Sequence, residues 1–136
     1  MQKETNREEI RTLLAQHEQE TRQHIANIER SFELLGEEVD DSPCPAMQGI
    51  AKEGKATLKK IDAPIVDAGI LSGAIETEHH EIAVYEILVT NAEARGAHDV
   101  AALLKENLQS EQHTLDAVKS VAQRIATGEG YAVTAA

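Results

Sequence analysis

Three stretches of this chain place apolar or small residues at alternating steps of four and three. In the first, Ile10, Leu14, His17, Thr21, His24, Ile28, Ser31 and Leu35 keep that step. In the second, Leu71, Ala74, Glu78, Glu81 or Ile82, Tyr85, Leu88 and Ala92 do, and in the third Leu104, Leu108, Glu111, Leu115, Val118, Ala122 and Ile125. Steps of three and four keep residues on one face of a helix, whereas in a strand every step of three changes face. The chain is therefore all-α, built from long helices that each bury a single stripe.

The punctuation between the stripes sets the boundaries. Asn6, with Glu9 three residues on, offers a capped start, and Gly36 a stop, giving a first helix over 6–36. EEVDDSPCPAM, interrupted by Pro43 and Pro45, reads as a loop. A shorter helix is expected over 46–60, with Met47, Ile50, Ala51 and Leu58 as its apolar side. Asp62 followed by Pro64 opens a third helix over 63–95, in which Gly69, Ser72 and Gly73 permit close approach of another helix. A fourth runs over 98–127, and the aperiodic tail 128–136 is left out of the bundle. At 136 residues this is a single domain.

With no Trp, one Phe and two Tyr, the core has to come from Leu, Ile, Val and Ala. The formal charge of −11 opposes a nucleic-acid partner or an anionic membrane surface, and it favours cations. No run reaches the ~20 apolar residues of a membrane span, and the polar, acidic N-terminus lacks the apolar segment of a signal peptide. A cytoplasmic location is expected. A lone Cys44 leaves no intrachain disulfide and no cysteine-based zinc or iron–sulfur site; packing beside the short helix is its expected role.

Each long stripe is interrupted near its middle by groups that do not belong in a core. These are His17, Glu20 and His24 on the first helix, Glu78 and Glu81 on the third, and Glu111 on the fourth. Helices of this length span ~45 Å, so the midpoints of antiparallel neighbours come to one height. Two carboxylates ~5 Å apart at an effective dielectric of ~20 repel by roughly 3 kcal/mol before desolvation is counted. Such a layer needs protons, basic partners or a cation, and imidazole with carboxylate is a ligand set for iron, manganese or zinc. Glu20 with His24, and Glu78 with Glu81, can each aim two groups at one centre, much as in carboxylate-bridged two-metal bundles. The plainer alternative is a metal-free layer in which each Glu reaches solvent at the stripe's edge and the imidazoles are hydrogen-bonded. His79, which completes a literal E-x-x-H with an outward Glu76, and His113 beside Glu111 are weaker candidates. His80 is expected to face outward.

HEQETRQHIANIERSFELLG resembles the second bundle helix of the YciE/YciF family of ferritin-like stress proteins. CPAMQGIAKEG is similar to that family's short crossing segment, and EHHEIAVYEIL and LLKENLQSEQ to its third and fourth helices. Four blocks in order across about residues 8–125 make the resemblance specific. It implies a ferritin-like bundle, to which this sequence contributes three long helices and one short crossing helix per chain, and a dinuclear iron or manganese centre. On matching positions it makes Glu20 a bridging ligand, His24 its imidazole partner and Glu111 the carboxylate of the last helix. Glu78 with Glu81 resembles the two-glutamate helix of rubrerythrin-type sites. Together these give Glu20, Glu78 and Glu111 as core ligands, His24 and Glu81 as secondary ones, and His17 outside them; the chemistry expected is oxidation of ferrous ion by oxygen or peroxide.

Two departures from the family pattern stand out. A full bundle has a further long helix before the one starting at Asn6, supplying a Glu ligand, and Thr114 stands where an E-x-x-H pattern would put His. Three long helices leave an apolar flank, since Leu13, Ile25, Ile70, Ile82 and Leu103 widen the stripes. A homodimer or higher oligomer is therefore expected to cover it. The competing expectation for the whole chain is a metal-free helical oligomer with a structural or protein-interaction role.

Overall fold

The computed structural model describes residues 7–129, with the side chains of 63, 64 and 129 left out. Four helices follow one another: α1 (Glu8–Leu35), α2 (Pro45–Leu58), α3 (Ala63–Ala94) and α4 (His98–Arg124), the last running into a π-helical turn at Ile125–Glu129. There is no strand among the described residues. The expected boundaries hold to within a few residues. The expected cap at Asn6 lies outside the described residues; Arg7 occupies the N-cap of α1 and makes no side-chain capping bond.

Two glycine stops act as their position in the sequence suggests. Gly36 (φ 69°) and Gly96 (φ 76°) sit in the left-handed region that a side chain resists. Each lets the chain turn back on its helix, the amide of Glu37 donating to the Phe32 carbonyl at 3.0 Å and that of Ala97 to the Ala92 carbonyl at 2.8 Å. At Gly69 an added Cβ would fall 2.5 Å from Ile61 Cδ1, the free end of that side chain, which would have to turn aside.

α4 is the centre of the bundle. α1 and α3 both pack along it, α2 rests on α3, and a cavity separates α1 from α3 at the level of Leu14 and Thr77. Two apolar clusters form the core. Ile10, Ile70, Leu71, Ala74, Val118, Val121 and Ile125 close one end; Tyr85, Val89, Val100 and Leu104 close the other. Because α4 runs antiparallel to the other two long helices, the residues midway along all three meet between these clusters.

Two stripe positions depart from expectation: Leu35 and Leu88 are exposed, while Val89, beside the stripe, is buried; Ile10 and Ser31 are buried as expected. The short helix buries no residue fully, and Met47, Ile50 and Leu58 are half-buried while Ala51 is exposed. Cys44 is exposed too, at the N-cap of α2, with its Sγ 4.0 Å from His80 Nε2. It does not pack beside the helix as expected, because it precedes the first turn rather than lying on it.

The apolar flank is real but narrower than the sequence suggests. Ile70 is fully buried, and Leu13, Ile82 and Leu103 are half-buried. Ile25, at 50% exposure, continues the stripe of Leu14 on α1, eleven residues on; Val84 (41%) and Leu88 (42%) continue that of Thr77 on α3. The side of the bundle facing away from α4, between α1 and α3, is therefore lined with uncovered apolar groups.

Candidate metal centre

The polar layer is built on three seven-residue repeats. On α1 the buried line is Ile10, His17, His24 and Ser31; on α3 it is Leu71, Glu78 and Tyr85; on α4 it is Leu104, Glu111 and Val118. A seven-residue step keeps each line facing the same neighbours. Apolar members of the line fill the two ends, and ionisable members are thereby carried into the middle.

There the side chains converge. Ligand atoms of His17, Glu78 and Glu111 lie within 4.8 Å of one another. His17 Nε2 is 3.1 Å from Glu78 Oε1, and His24 Nδ1 is 2.8 Å from Glu111 Oε1, an ion-pair distance without the alignment of a hydrogen bond. Glu78 and Glu111 are each 1% exposed. Glu81, about one turn beyond Glu78, is half-buried beside the same Glu111 carboxylate.

Protons replace charge in this cluster. Burial, with the neighbouring Glu111, pushes the Glu78 carboxyl up to about 10, and burial with Glu111 pushes Glu81 up to about 8. Burial also raises Glu111, but contacts from His24, Glu78 and Glu81 outweigh it and hold that carboxyl down to about 2. Glu78 and Glu81 therefore hold their protons beside an ionised Glu111. Even so, His17 Nδ1, His24 Nε2, Glu78 Oε2 and Glu111 Oε2 are buried with no hydrogen-bond partner. Orphaned polar atoms at this depth are uncommon and costly.

A second polar tier lies next to the first. Asn107, fully buried, donates from Nδ2 to the His24 carbonyl at 3.1 Å and to the Tyr85 hydroxyl at 3.3 Å. Its Oδ1 accepts from Asn27 Nδ2 at 2.8 Å. Ser31 Oγ donates to the Asn27 carbonyl, and the His24 ring meets Tyr85 edge-on, centroids 6.5 Å apart. This tier ties α1, α3 and α4 at one register, as a satisfied buried network can. Burial is the main reason the Tyr85 phenol is pushed up to about 12.

The sequence-derived candidates are thus redistributed. His17, expected outside the core ligands, lies beside Glu78 and Glu111. Glu20 stands at the edge of the layer, one oxygen accepting from Thr114 Oγ1 at 2.9 Å and the other from Gln16 Nε2 at 3.0 Å. His24 and Glu81 flank the centre. His79 and His113 are exposed, and His80, expected to face outward, is half-buried. Thr114, read in the sequence only as a missing histidine, is buried and holds Glu20. Asn27 and Asn107 carried no chemical signal in the sequence beyond occupying positions one step from the stripe.

Residues 1–129 match the family model described as "Domain of unknown function (DUF892)". The chain is 32% identical over 112 residues to protein YciF of Escherichia coli strain K12, an alignment spanning 81% of this chain and 68% of that protein. Among solved structures, the E. coli stress protein YciF superimposes with a TM-score of 0.88 at 28% identity, covering 94% of this chain and 82% of YciF. YcfI of Rhodopseudomonas palustris, described as a candidate structural protein, gives 0.85 at 30% identity, covering 88% of this chain and 76% of YcfI. No helix among the described residues is long and apolar enough to cross a membrane. The helical repeats, the four ordered sequence blocks and these matches together place the chain in the DUF892 family, the family of YciF.

Proposed function

We propose that this protein is a cytoplasmic, stress-response-type metal-binding protein that holds divalent iron or manganese in the polar layer of its bundle. The observation that carries the reading is the meeting of His17, Glu78 and Glu111 within 4.8 Å at a depth where Glu78 Oε2 and Glu111 Oε2 have no partner. The donor set fits such a cation, since carboxylate and imidazole suit iron and manganese, and zinc too. His17, Glu78 and Glu111 would hold it, with His24 and Glu81 completing the set and leaving room for a second ion. Bound iron or manganese would supply one-electron chemistry toward oxygen or peroxide. The protein's own residues fix the ligand atoms: Asn107 anchors the backbone of α1 at His24, and the apolar clusters on either side exclude water.

The test is a Co(II) and Fe(II) titration of untagged, chelator-treated protein, followed by ligand-field absorption and metal analysis. One or two ions per chain at micromolar concentration are expected. No binding there would rule out the metal reading in favour of a metal-free scaffold, which the Asn27–Asn107–Tyr85 network and the description of YcfI as a candidate structural protein favour.

We also propose that a second copy covers the flank carrying Ile25, Val84 and Leu88, groups exposed at 50%, 41% and 42%. Contiguous apolar surface of this kind is the ordinary mark of an association face. Light scattering after gel filtration should give a mass of at least two chains, and Val84→Glu with Leu88→Glu should reduce it to one. A monomeric parent protein would remove the proposal.

A further inference from the structure

Two small cavities meet at the His17 imidazole. The outer one, about 70 Å3, opens between α1 and α4 and is lined by Gln16, His17, Glu20, His113, Thr114 and Ala117 among others. The inner one, about 50 Å3, reaches Thr77 and Glu78. His17 and Thr114, with Leu13, border both, so on the α1–α4 side these side chains stand between the outer cavity and the Glu78 carboxylate.

The polar groups along this line are graded. Glu20, at the outer cavity, is half-buried and fixed by Thr114 and Gln16, each of its oxygens accepting a single hydrogen bond. A carboxylate offers about four acceptor positions, so two remain for a cation. His17 follows, 24% exposed, with Nδ1 unpartnered and Nε2 on Glu78. Glu78 comes last, 1% exposed, with Oε2 unpartnered. The flank between α1 and α3 offers no carboxylate or imidazole ahead of His17 and Glu78: at the same height it presents Leu14, Ala74 and Thr77, whose hydroxyl already donates to the Gly73 carbonyl, and a dehydrating divalent ion gains little there.

We propose that divalent cations enter the centre through the opening between α1 and α4, meeting Glu20 at the mouth and passing along the His17 imidazole to Glu78. The step exchanges bound water for protein ligands and moves no electrons. It rests on the metal reading above and adds a role that the reading lacks, since it makes Glu20 an entry group and gives His17 a part in transfer as well as in ligation. The acidic field of the chain brings cations to the surface; Glu20 localises them at one opening.

The test is stopped-flow association of Co(II) with the full, chelator-treated chain. Ala117→Met narrows the mouth from a residue that is not itself a proposed ligand, and it should slow association by about tenfold while the final absorption stays that of the parent. Glu20→Gln should slow association by on the order of tenfold and weaken its dependence on ionic strength, as loss of a steering charge does, with the bands of bound Co(II) unmoved at saturation. An unchanged rate in either variant, with far-UV circular dichroism confirming the fold, overturns the route while leaving the metal reading intact. Displaced bands in Glu20→Gln would make Glu20 a ligand and overturn it too. A parent that binds no Co(II) ends both.

Discussion

Glu78→Gln is expected to leave the metal-free bundle about as stable as the parent at pH 5, and more stable than it as pH rises, while weakening Co(II) or Fe(II) binding by at least ~100-fold. Without metal the Glu78 carboxyl is held neutral, pushed up to about 10 by burial and by Glu111. A glutamine amide reproduces the shape and the donor of a protonated carboxyl, so the fold loses little. Metal binding needs the ionised form, and removing even an outer partner of a metal ligand typically costs ~10–100-fold in affinity. Losing a ligand should cost no less. Glu111→Gln should behave differently. It removes the ionised member of the cluster, the acceptor held by His24 at 2.8 Å, and breaking a buried pair of this kind destabilises by ~3–5 kcal/mol. Urea denaturation of both variants without metal, beside Co(II) titration, checks the contrast. Equal destabilisation by the two substitutions would show that the charge is not distributed as described, and retained Co(II) affinity in Glu78→Gln would move the centre elsewhere.

What could be read in advance follows the physics of each level. The helices and their stops were legible because spacing of three and four, Gly36, Gly96 and the Asp62–Pro64 start act locally, within a turn of chain. The depth of the polar layer was legible for a related reason: His17, Glu78 and Glu111 sit on the same seven-residue lines as Ile10, Leu71 and Leu104, and antiparallel packing then fixes their common height. The ranking within the layer was not legible. Glu20 and His17 are three residues apart on one helix face, and which of them reaches the centre depends on how α1 rotates against α4. That rotation is set by contacts between distant residues, Thr114 with Glu20 and Asn107 with the His24 carbonyl. No pattern along one helix encodes it. Asn107 went unmarked for the same reason: its role consists of partners on two other helices. The exposure of Leu35 reflects the end of its helix, and that of Leu88 the uncovered side between α1 and α3; a periodic stripe records neither.

The metal-free protein should become less stable as pH rises from about 5 to 9, and divalent cation should flatten that decline. Glu78 and Glu81 are raised in the folded state to about 10 and about 8 from an ordinary 4.5. Below the unfolded value both states hold these protons, and the folded protein has its full stability. Above it the unfolded chain releases them while the folded chain must keep them, so each retained proton lowers stability by about 1.4 kcal/mol per pH unit until the folded group also titrates. Glu111 acts in the opposite sense. Held down to about 2, it contributes stability above its unfolded value that is lost as pH falls from about 4.5 toward 2. The optimum for the metal-free protein therefore lies near pH 5. A cation replaces the protons as the partner of these carboxylates, and since it binds their ionised forms its affinity grows with pH. Urea midpoints at pH 5, 7 and 9, with chelator and with Co(II), test this directly, and Glu78→Gln should remove much of the slope in chelator. A midpoint that holds constant or climbs across that range without metal would mean the carboxylates are ionised and solvated in the folded protein. The layer would then have no unmet demand for a cation, and the strongest physical reason for placing a metal there would be gone.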